Sequence, residues 1–260
     1  MKNSFQRKEM KYRLSLQQKR QLEQALKEEL MPDAYPDYRL FSLYCDNDRL
    51  DLLRASHCRP AYREKVRIRS YAENPAGDDM VYLEVKKKIE GVTMKKRQAL
   101  PLKNLSFSPD AFTGPDLCSR DLKRITTRYD LHPVLFLSYH RTSWFWKDDP
   151  ELRITFDDEI LYRTGNLVLA RDPSQDRLLL PEEETILEIK TARNLPLKLV
   201  RVLEELKIIP ASFSKAGRAY EMMIKEENKQ NGTERNECRL YGYGQPSGRG
   251  TGCWSGALLL

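Results

Sequence analysis

The sequence predicts an α+β fold in which an antiparallel β-sheet closes into a barrel around a charged cavity, with helices beside it. Three observations predict it. Stretches of strict alternation recur along the 260 residues, placing apolar side chains on one face and charged ones on the other, as strands do. The charged faces mix Arg and Lys with Glu and Asp, where an ordinary wet face carries Ser, Thr and Gln as well. Helical segments with an apolar stripe lie between and after the strands. A sheet with one solvated face is the simpler reading of alternation alone. A closed barrel gathers inward-facing residues from every strand, and it accounts for so much fixed charge of both signs.

The elements follow in order. Phe5–Tyr12 alternates, with Phe5, Arg7, Glu9 and Lys11 on one side and Lys8, Met10 and Tyr12 on the other, and reads as a strand. Ser15 is placed to cap a helix reaching about Leu30, whose Leu16, Leu22, Leu26 and Leu30 include helical spacings, before Pro32 and Pro36 stop it. Tyr38–Cys45 is a strand of β-favouring residues, and Asp46–His57 opens on an Asp/Asn cap signal as a short helix. Val66–Tyr71 and Met80–Lys88 form a hairpin across the polar break Glu73–Asp79. Arg67 and Arg69 share one face of it, as do Glu84 and Lys86; Lys87 alternates away and is expected to be exposed. Val92–Ala99 adds a strand, Pro101–Pro115 a connection and Ser119–Tyr129 a helix. Val134–Trp144, Leu152–Phe156, Leu167–Ala170 and Thr185–Thr191 read as strands. Leu197–Leu206 is an amphipathic helix through Leu199, Val202, Leu203 and Leu206, and Ser212–Lys225 a last helix. Residues 1–225 are expected to form one folded domain, and the Gly-rich, aperiodic residues 226–260 a disordered or loosely attached tail.

A net charge of +7 favours anionic partners. No stretch approaches the roughly 20 apolar residues of a membrane span, and the first residues lack the apolar core of a secretory signal. Cys45, Cys58, Cys118, Cys238 and Cys253 are scattered without paired spacing, which argues against a disulfide framework or a zinc site and for reduced thiols in a cytoplasm. His57, His132 and His140 lack ligand spacing, and no GxxxxGK[ST] or GxGxxG motif is present. Trp144 and Trp146 read as strand packing rather than base stacking. The Lys95–Arg97 run is too short to mark a nucleic-acid patch, and no nucleic-acid partner is expected.

Lys11, Arg67, Arg69, Lys86, Arg141, Arg153 and Lys190 occupy polar strand faces, with Glu9, Glu84 and Glu188 among them and Asp157 at a strand end. Arginine offers a planar fork that matches phosphate oxygens, and lysine a compact charge. A triphosphate or longer chain spreads charge over many oxygens and needs several cations around it. Interspersed carboxylates can hold those cations or bind a divalent metal through oxygen. Such a cavity is expected to hold a polyanion.

The ordered set RKEMKY (Arg7–Tyr12), VRIRSY (Val66–Tyr71), LEVKK (Leu83–Lys87), SYHR (Ser138–Arg141), RITFD (Arg153–Asp157), LEIK (Leu187–Lys190) and SFSK (Ser212–Lys215) resembles the VTC domain, the polyphosphate-polymerase branch of the CYTH-like triphosphate tunnel metalloenzymes. The resemblance covers Phe5 to Glu221. It implies an antiparallel β-barrel tunnel flanked by helices, and transfer of the γ-phosphate of ATP to a growing inorganic polyphosphate chain with Mn²⁺ or Mg²⁺. It implies that Lys11, Arg67, Arg69, Lys86, Arg141, Arg153 and Lys215 hold the reacting phosphates, that Arg97, Lys190 and Arg218 bind phosphate beside them, and that Glu188 carries the metal. ATP and inorganic polyphosphate are the implied partners; a membrane protein that receives the polymer is not identified by the sequence. A tripolyphosphatase or nucleoside triphosphatase of the same fold, and a non-catalytic polyphosphate-binding module, are the alternatives. The sequence departs from the family pattern where Ala216 follows the SK pair in place of an aromatic residue, and in the Gly-rich tail.

Overall fold

Alternation builds one antiparallel sheet. A computed structural model describes residues 8–90, 92–105, 124–125 and 128–231. Its strands are β1 (Lys8–Ser15), β2 (Leu30–Asp46), β3 (Tyr62–Ser70), β4 (Met80–Ile89), β5 (Val92–Pro101), β6 (His132–Trp146), β7 (Asp149–Arg163), β8 (Arg177–Leu178) and β9 (Glu184–Thr191). They run in the order β1-β9-β7-β6-β2-β3-β4-β5, with β8 attached to β7. The helices are α1 (Leu16–Ala25), α2 (Asp51–Cys58), α3 (Leu197–Glu205) and α4 (Lys215–Asn231). Among the described residues no backbone ladder joins β1 to β5, so the expected closed barrel is instead a strongly curled, open sheet. The curl still brings side chains near its two ends together: Lys86 Nζ on β4, next to the edge strand β5, lies 3.8 Å from Glu9 Oε2 on β1.

Local chemistry explains the boundaries. Ser15 caps α1 with a reciprocal box, its Oγ accepting from Gln18 N at 3.1 Å while Gln18 Oε1 accepts from Ser15 N at 3.0 Å. Asp46 anchors the start of α2: its carboxylate accepts from Leu52 N at 3.0 Å and Leu53 N at 2.7 Å. α1 stops at Ala25, earlier than expected, and β2 begins at Leu30. The prolines do not end the ordered structure there. The β2–β6 register breaks between Pro32 and Asp37, and this irregularity lets Pro36 sit where no ladder hydrogen bond is needed. Leu167–Ala170 is not a strand. Its carbonyls at Val168 and Ala170 are instead taken by the Arg163 guanidinium at 2.8 Å each. Helix α4 runs on to Asn231, past the expected boundary, and Glu226 accepts from Tyr162 at 3.3 Å and Arg177 at 2.7 Å. Residues 5–7, most of 119–129 and 232–260, on which further expectations fall, lie outside the described residues. Cys45 is free, and burial pushes its thiol pKa well up. Cys58 is disulfide-bonded, against the expectation of reduced thiols throughout.

The convex side of the sheet is covered by apolar packing. Tyr12, Leu14, Ile154, Phe156, Leu187 and Ile189 meet Leu22 of α1 and Leu199, Val202 and Leu203 of α3. Phe41, Leu43, Val66, Ile68, Leu83 and Val85 form a second cluster with Leu52, Leu100 and Ile125. A third lies on the concave side, where Leu40, Tyr44, Leu135, Leu137 and Tyr162 pack against Ala216, Ala219 and Tyr220 of α4. Helix α4 therefore fills one part of the concavity with apolar contact. The remainder stays polar.

Candidate anion-binding channel

Pairing register carries the polar face across the sheet. Lys11 lies opposite Glu188 and Glu9 opposite Lys190. Glu188 in turn faces Thr155, and Lys190 faces Arg153. Asp157 is opposite Arg141, Tyr38 opposite Arg141, and Tyr44 opposite Arg67. Arg67 faces Glu84 and Lys65 faces Lys86; Arg97 faces Glu84 and Lys95 faces Lys86. Neighbours in register share a face, so one continuous band of charge lines the concave side from β1 to β5.

Carboxylates organise that band. Glu84 is surrounded by cations, with Arg67 Nε at 2.7 Å, Lys95 Nζ at 2.5 Å, Arg97 Nε at 3.5 Å and Arg69 Nη1 at 3.8 Å. Burial pushes its pKa up, but Arg67, Arg69 and Lys95 overcome this and bring it down to about 2. Asp157 takes a two-pronged bond from Arg141, at 2.5 and 2.7 Å, and an ion pair from Lys215 at the start of α4. Its carboxyl is held well below the usual range, burial being outweighed by Lys215 and Arg141. Glu188 pairs with Lys190 and, at 3.7 Å, with Lys11. Burial again opposes ionisation, and Lys190, Lys11 and Arg141 bring its pKa to about 2. Lys11 also reaches Glu9 at 3.3 Å. Arg153 pairs with Asp33, which accepts from Ser143 Oγ at 2.9 Å.

The SFSK segment closes onto this face. Lys11 Nζ donates to Phe213 O at 3.4 Å, Lys65 Nζ to Ser214 Oγ at 2.9 Å, and Lys215 Nζ lies 4.4 Å from the Tyr139 ring centroid. Tyr139, which also accepts from Arg69 at 3.4 Å, has its hydroxyl pKa pulled down to about 8: burial raises it, Arg141, Arg69 and Lys215 lower it further. Among the described residues Arg69 Nε, Ser42 Oγ and Thr155 Oγ1 are buried on the band with neither a hydrogen-bond nor an ion-pair partner, whereas the equally buried Glu84 Oε1 is held by Lys95 and Arg97. Such groups are uncommon and call for a ligand or another explanation.

Of the residues expected at the site, Lys11, Arg67, Arg69, Lys86, Arg97, Arg141, Arg153, Glu188, Lys190 and Lys215 lie on this band. Arg218, one turn after Lys215 on α4, pairs with Glu221 on its own helix at 2.8 Å. Lys95 faces inward together with Arg97, a consequence of their spacing of two. Lys65 is a further inward cation, two residues before Arg67, that alternation alone would have revealed. Lys87 is buried rather than exposed: it lies on the convex side, 3.8 Å from Glu64, which also binds Arg124 at 2.5 Å.

Among the described residues no three His, Cys, Asp or Glu side chains converge as an all-protein metal cage. The donors do fit a shared shell. Glu188 and Glu9 both reach Lys11, and Glu188 stays ionised. A hard divalent ion commonly takes one or two carboxylates and fills its shell with substrate phosphate oxygens and water.

No helix among the described residues is long and apolar enough to cross a membrane. A search of curated proteins gives no match. Among solved structures the chain is similar to a provisionally assigned adenylate cyclase from Bacillus halodurans, at 13% identity over 79% of this chain and 92% of that one, with a TM-score of 0.49. It is similar to another such protein from Vibrio parahaemolyticus at 12% identity, covering 82% and 97%, with a TM-score of 0.43. It is also similar to a chain of the Schizosaccharomyces pombe Mediator head module at 10% identity, covering 77% and 90%, with a TM-score of 0.39. Residues 6–224 match the family model of the VTC domain. That span holds every strand and every charged residue of the band described above, and the chain belongs to the VTC domain family.

Proposed function

We propose that this chain is a metal-dependent polyphosphate polymerase, transferring the γ-phosphate of ATP to the end of an inorganic polyphosphate chain. The observation that carries the reading is the concave band, where cations from β1, β3, β4, β5, β6, β7, β9 and α4 outnumber the carboxylates among them. Arg67, Arg69, Arg97 and Lys86 would hold phosphates from one wall, and Lys11, Arg141, Arg153, Lys190 and Lys215 from the other. The orphaned Arg69 Nε, Ser42 Oγ and Thr155 Oγ1 are suited to a ligand rich in acceptor and water-bridging oxygens. A Mn²⁺ or Mg²⁺ ion held by Glu188, with Glu9 beside it, would neutralise charge on the transferred phosphoryl group. A terminal phosphate oxygen of the acceptor attacks the γ-phosphorus, the bond from that phosphorus to the β–γ bridging oxygen breaks, and ADP leaves. Positioning and charge neutralisation supply most of the acceleration in such a step.

The channel carboxylates offer little general-base catalysis. With pKa values near 2, Glu84 and Glu188 are weak bases, and Asp157 is likewise held well below the usual carboxylate range. An anionic phosphate oxygen needs no base, whereas water benefits from one. Incubating the purified protein with ATP and Mn²⁺ tests the reading. Long-chain product supports it, free phosphate alone replaces it with a hydrolase, and binding without turnover leaves a binding module. Glu188→Gln is expected to lower turnover by orders of magnitude while ATP still binds without metal; near-normal turnover at low Mn²⁺ would remove Glu188 from the metal.

A further inference from the structure

The cations of the concave side are of two kinds. Along most of the band each has a carboxylate within reach, as Arg67 has Glu84, Arg141 has Asp157 and Lys11 has Glu188. At one end this stops. Lys65, Arg63, Lys88 and Arg59 form no ion pair with any carboxylate among the described residues. Lys65 and Arg63 are two apart on β3, so they share the face of Arg67, and Lys88 lies opposite Arg63 in register. The row thus continues the channel wall beyond the Glu84 cluster. The side chains are nonetheless held in place by uncharged acceptors. Lys65 donates to Ser214 Oγ at 2.9 Å, Arg63 to Pro60 O at 2.8 Å, and Arg59 to Ser212 O at 3.1 Å and to the Ser212 hydroxyl. The nearest buried carboxylate in sequence, Glu64, points to the convex side and is taken by Arg124 and Lys87.

Collecting like charges without counter-charge costs stability unless an anion offsets it. The strain is visible at Lys65, whose pKa is pushed well below the ordinary lysine value by burial and then by Lys11, Lys86, Arg67 and Arg63. Arg63 is lowered likewise by burial and by Arg59. Arg63, Lys65 and Arg67 repeat every second residue along β3, with Arg59 at the end of α2 just before that strand, and a row with this spacing suits an extended anion better than a compact one.

We propose that the Arg59–Arg63–Lys65–Lys88 row binds the extension of a linear polyanion longer than a triphosphate, so that the channel has a carboxylate-bearing reaction half and a cation-only chain half. This rests on the reading of the band as a triphosphate site. The chemical class is inorganic polyphosphate or another linear chain with one charge per repeat. In this arrangement short ligands occupy the Glu84–Glu188 region and only long ones reach the row.

The test compares two probes, tripolyphosphate and linear polyphosphate of several tens of phosphates, on the wild type and on an Arg59→Gln/Arg63→Gln variant. Tripolyphosphate affinity is expected to stay within about twofold. Long-chain affinity is expected to fall about tenfold or more, with a shallower dependence on salt because fewer counterions are released. An Arg59→Lys/Arg63→Lys variant should recover most of the loss. Equal losses for both probes, or no loss for either, would overturn the chain half while leaving the triphosphate site standing. A wild type that binds neither probe would instead remove the underlying reading and the row with it. Should the double variant melt far below the wild type, Lys88→Gln alone gives the same comparison, with a smaller selective loss expected and an unselective one fatal.

Discussion

Two buried charged groups in this molecule, Arg163 and Glu84, are paired in different ways. Arg163 pairs with Asp176 at 2.5 Å and uses its remaining donors on the carbonyls of Asn166 at 2.9 Å and of Val168 and Ala170 at 2.8 Å, while its guanidinium lies 3.9 Å from the Phe136 ring centroid. Its side chain is 1% exposed. Each of its three nitrogens has a partner, and the pair ties the loop after β7 to the core. Glu84, 2% exposed, has the opposite stoichiometry: one carboxylate among Arg67, Arg69, Lys95 and Arg97. Arg69 Nε beside it has no partner. A structural ion pair saturates itself. A binding site stops short of saturation, and the deficit is the place for a ligand.

The largest effect should come from breaking the saturated pair. Arg163→Ala leaves Asp176 buried and three carbonyls without donors, and should cost about 3–5 kcal/mol in chemical denaturation. The folded fraction should keep its anion affinity, since none of these groups faces the channel. A large affinity change at unchanged stability would erase the distinction. Glu84→Gln should cost less, about 1–3 kcal/mol, because the cations freed by it can reach water at the channel mouth. Its loss should shrink when tripolyphosphate is added, as a ligand specific to the folded state stabilises by mass action. Failure of the anion to restore melting temperature in this variant would count against an anion site around Glu84.

Acid separates the regions further. The folded pKa values of Glu84 and Glu188 are depressed to about 2, with an ordinary value of 4.5. Their contribution is therefore complete above about 4.5 and is lost as pH falls towards 2. Stability should drop through that window, and a Glu84→Gln/Glu188→Gln variant should show a flatter profile there. The smallest effect is spectroscopic. Tyr139 should titrate near 8 in the free protein. A polyanion that neutralises Arg69, Arg141 and Lys215 should move the phenolate absorbance change to higher pH. An unmoved transition on saturation would place the anion away from Tyr139.

Much of this was legible in the residues because alternation fixes facing. Once Val66–Lys88 is a hairpin, Arg67, Arg69, Glu84 and Lys86 must share a side, and they do. Lys65 and Arg63 stand just before the VRIRSY motif, on the same period extended backward through β3. The first half of β2 was hidden by Pro32 and Pro36, residues that oppose a regular ladder but are absorbed by a register break. Leu167–Ala170 looked like a strand because its residues suit one; a single arginine from β7 takes the carbonyls that a neighbouring strand would have paired. Closure was overestimated for a different reason. Inward charge tells which face is enclosed, but not whether backbone or side chains join the last strand to the first.

That seam has a kinetic meaning. Among the described residues no ladder closes β1 on β5, and the walls beside that opening touch through Lys86 of β4 and Glu9 of β1, a pair 3.8 Å apart with side chains 43% and 33% exposed. An exposed pair of this kind holds with at most about 1 kcal/mol and its rotamers exchange in picoseconds to nanoseconds, whereas a hydrogen-bonded ladder opens only by losing several backbone bonds together. A long ligand can then be laid into the groove from the side, as a cable is pressed into a slotted conduit, with no free end to find. Association rates for polyphosphates are accordingly expected to hold steady or rise with length; a rate that falls as the ends become scarcer would mean that the chain is threaded end-first.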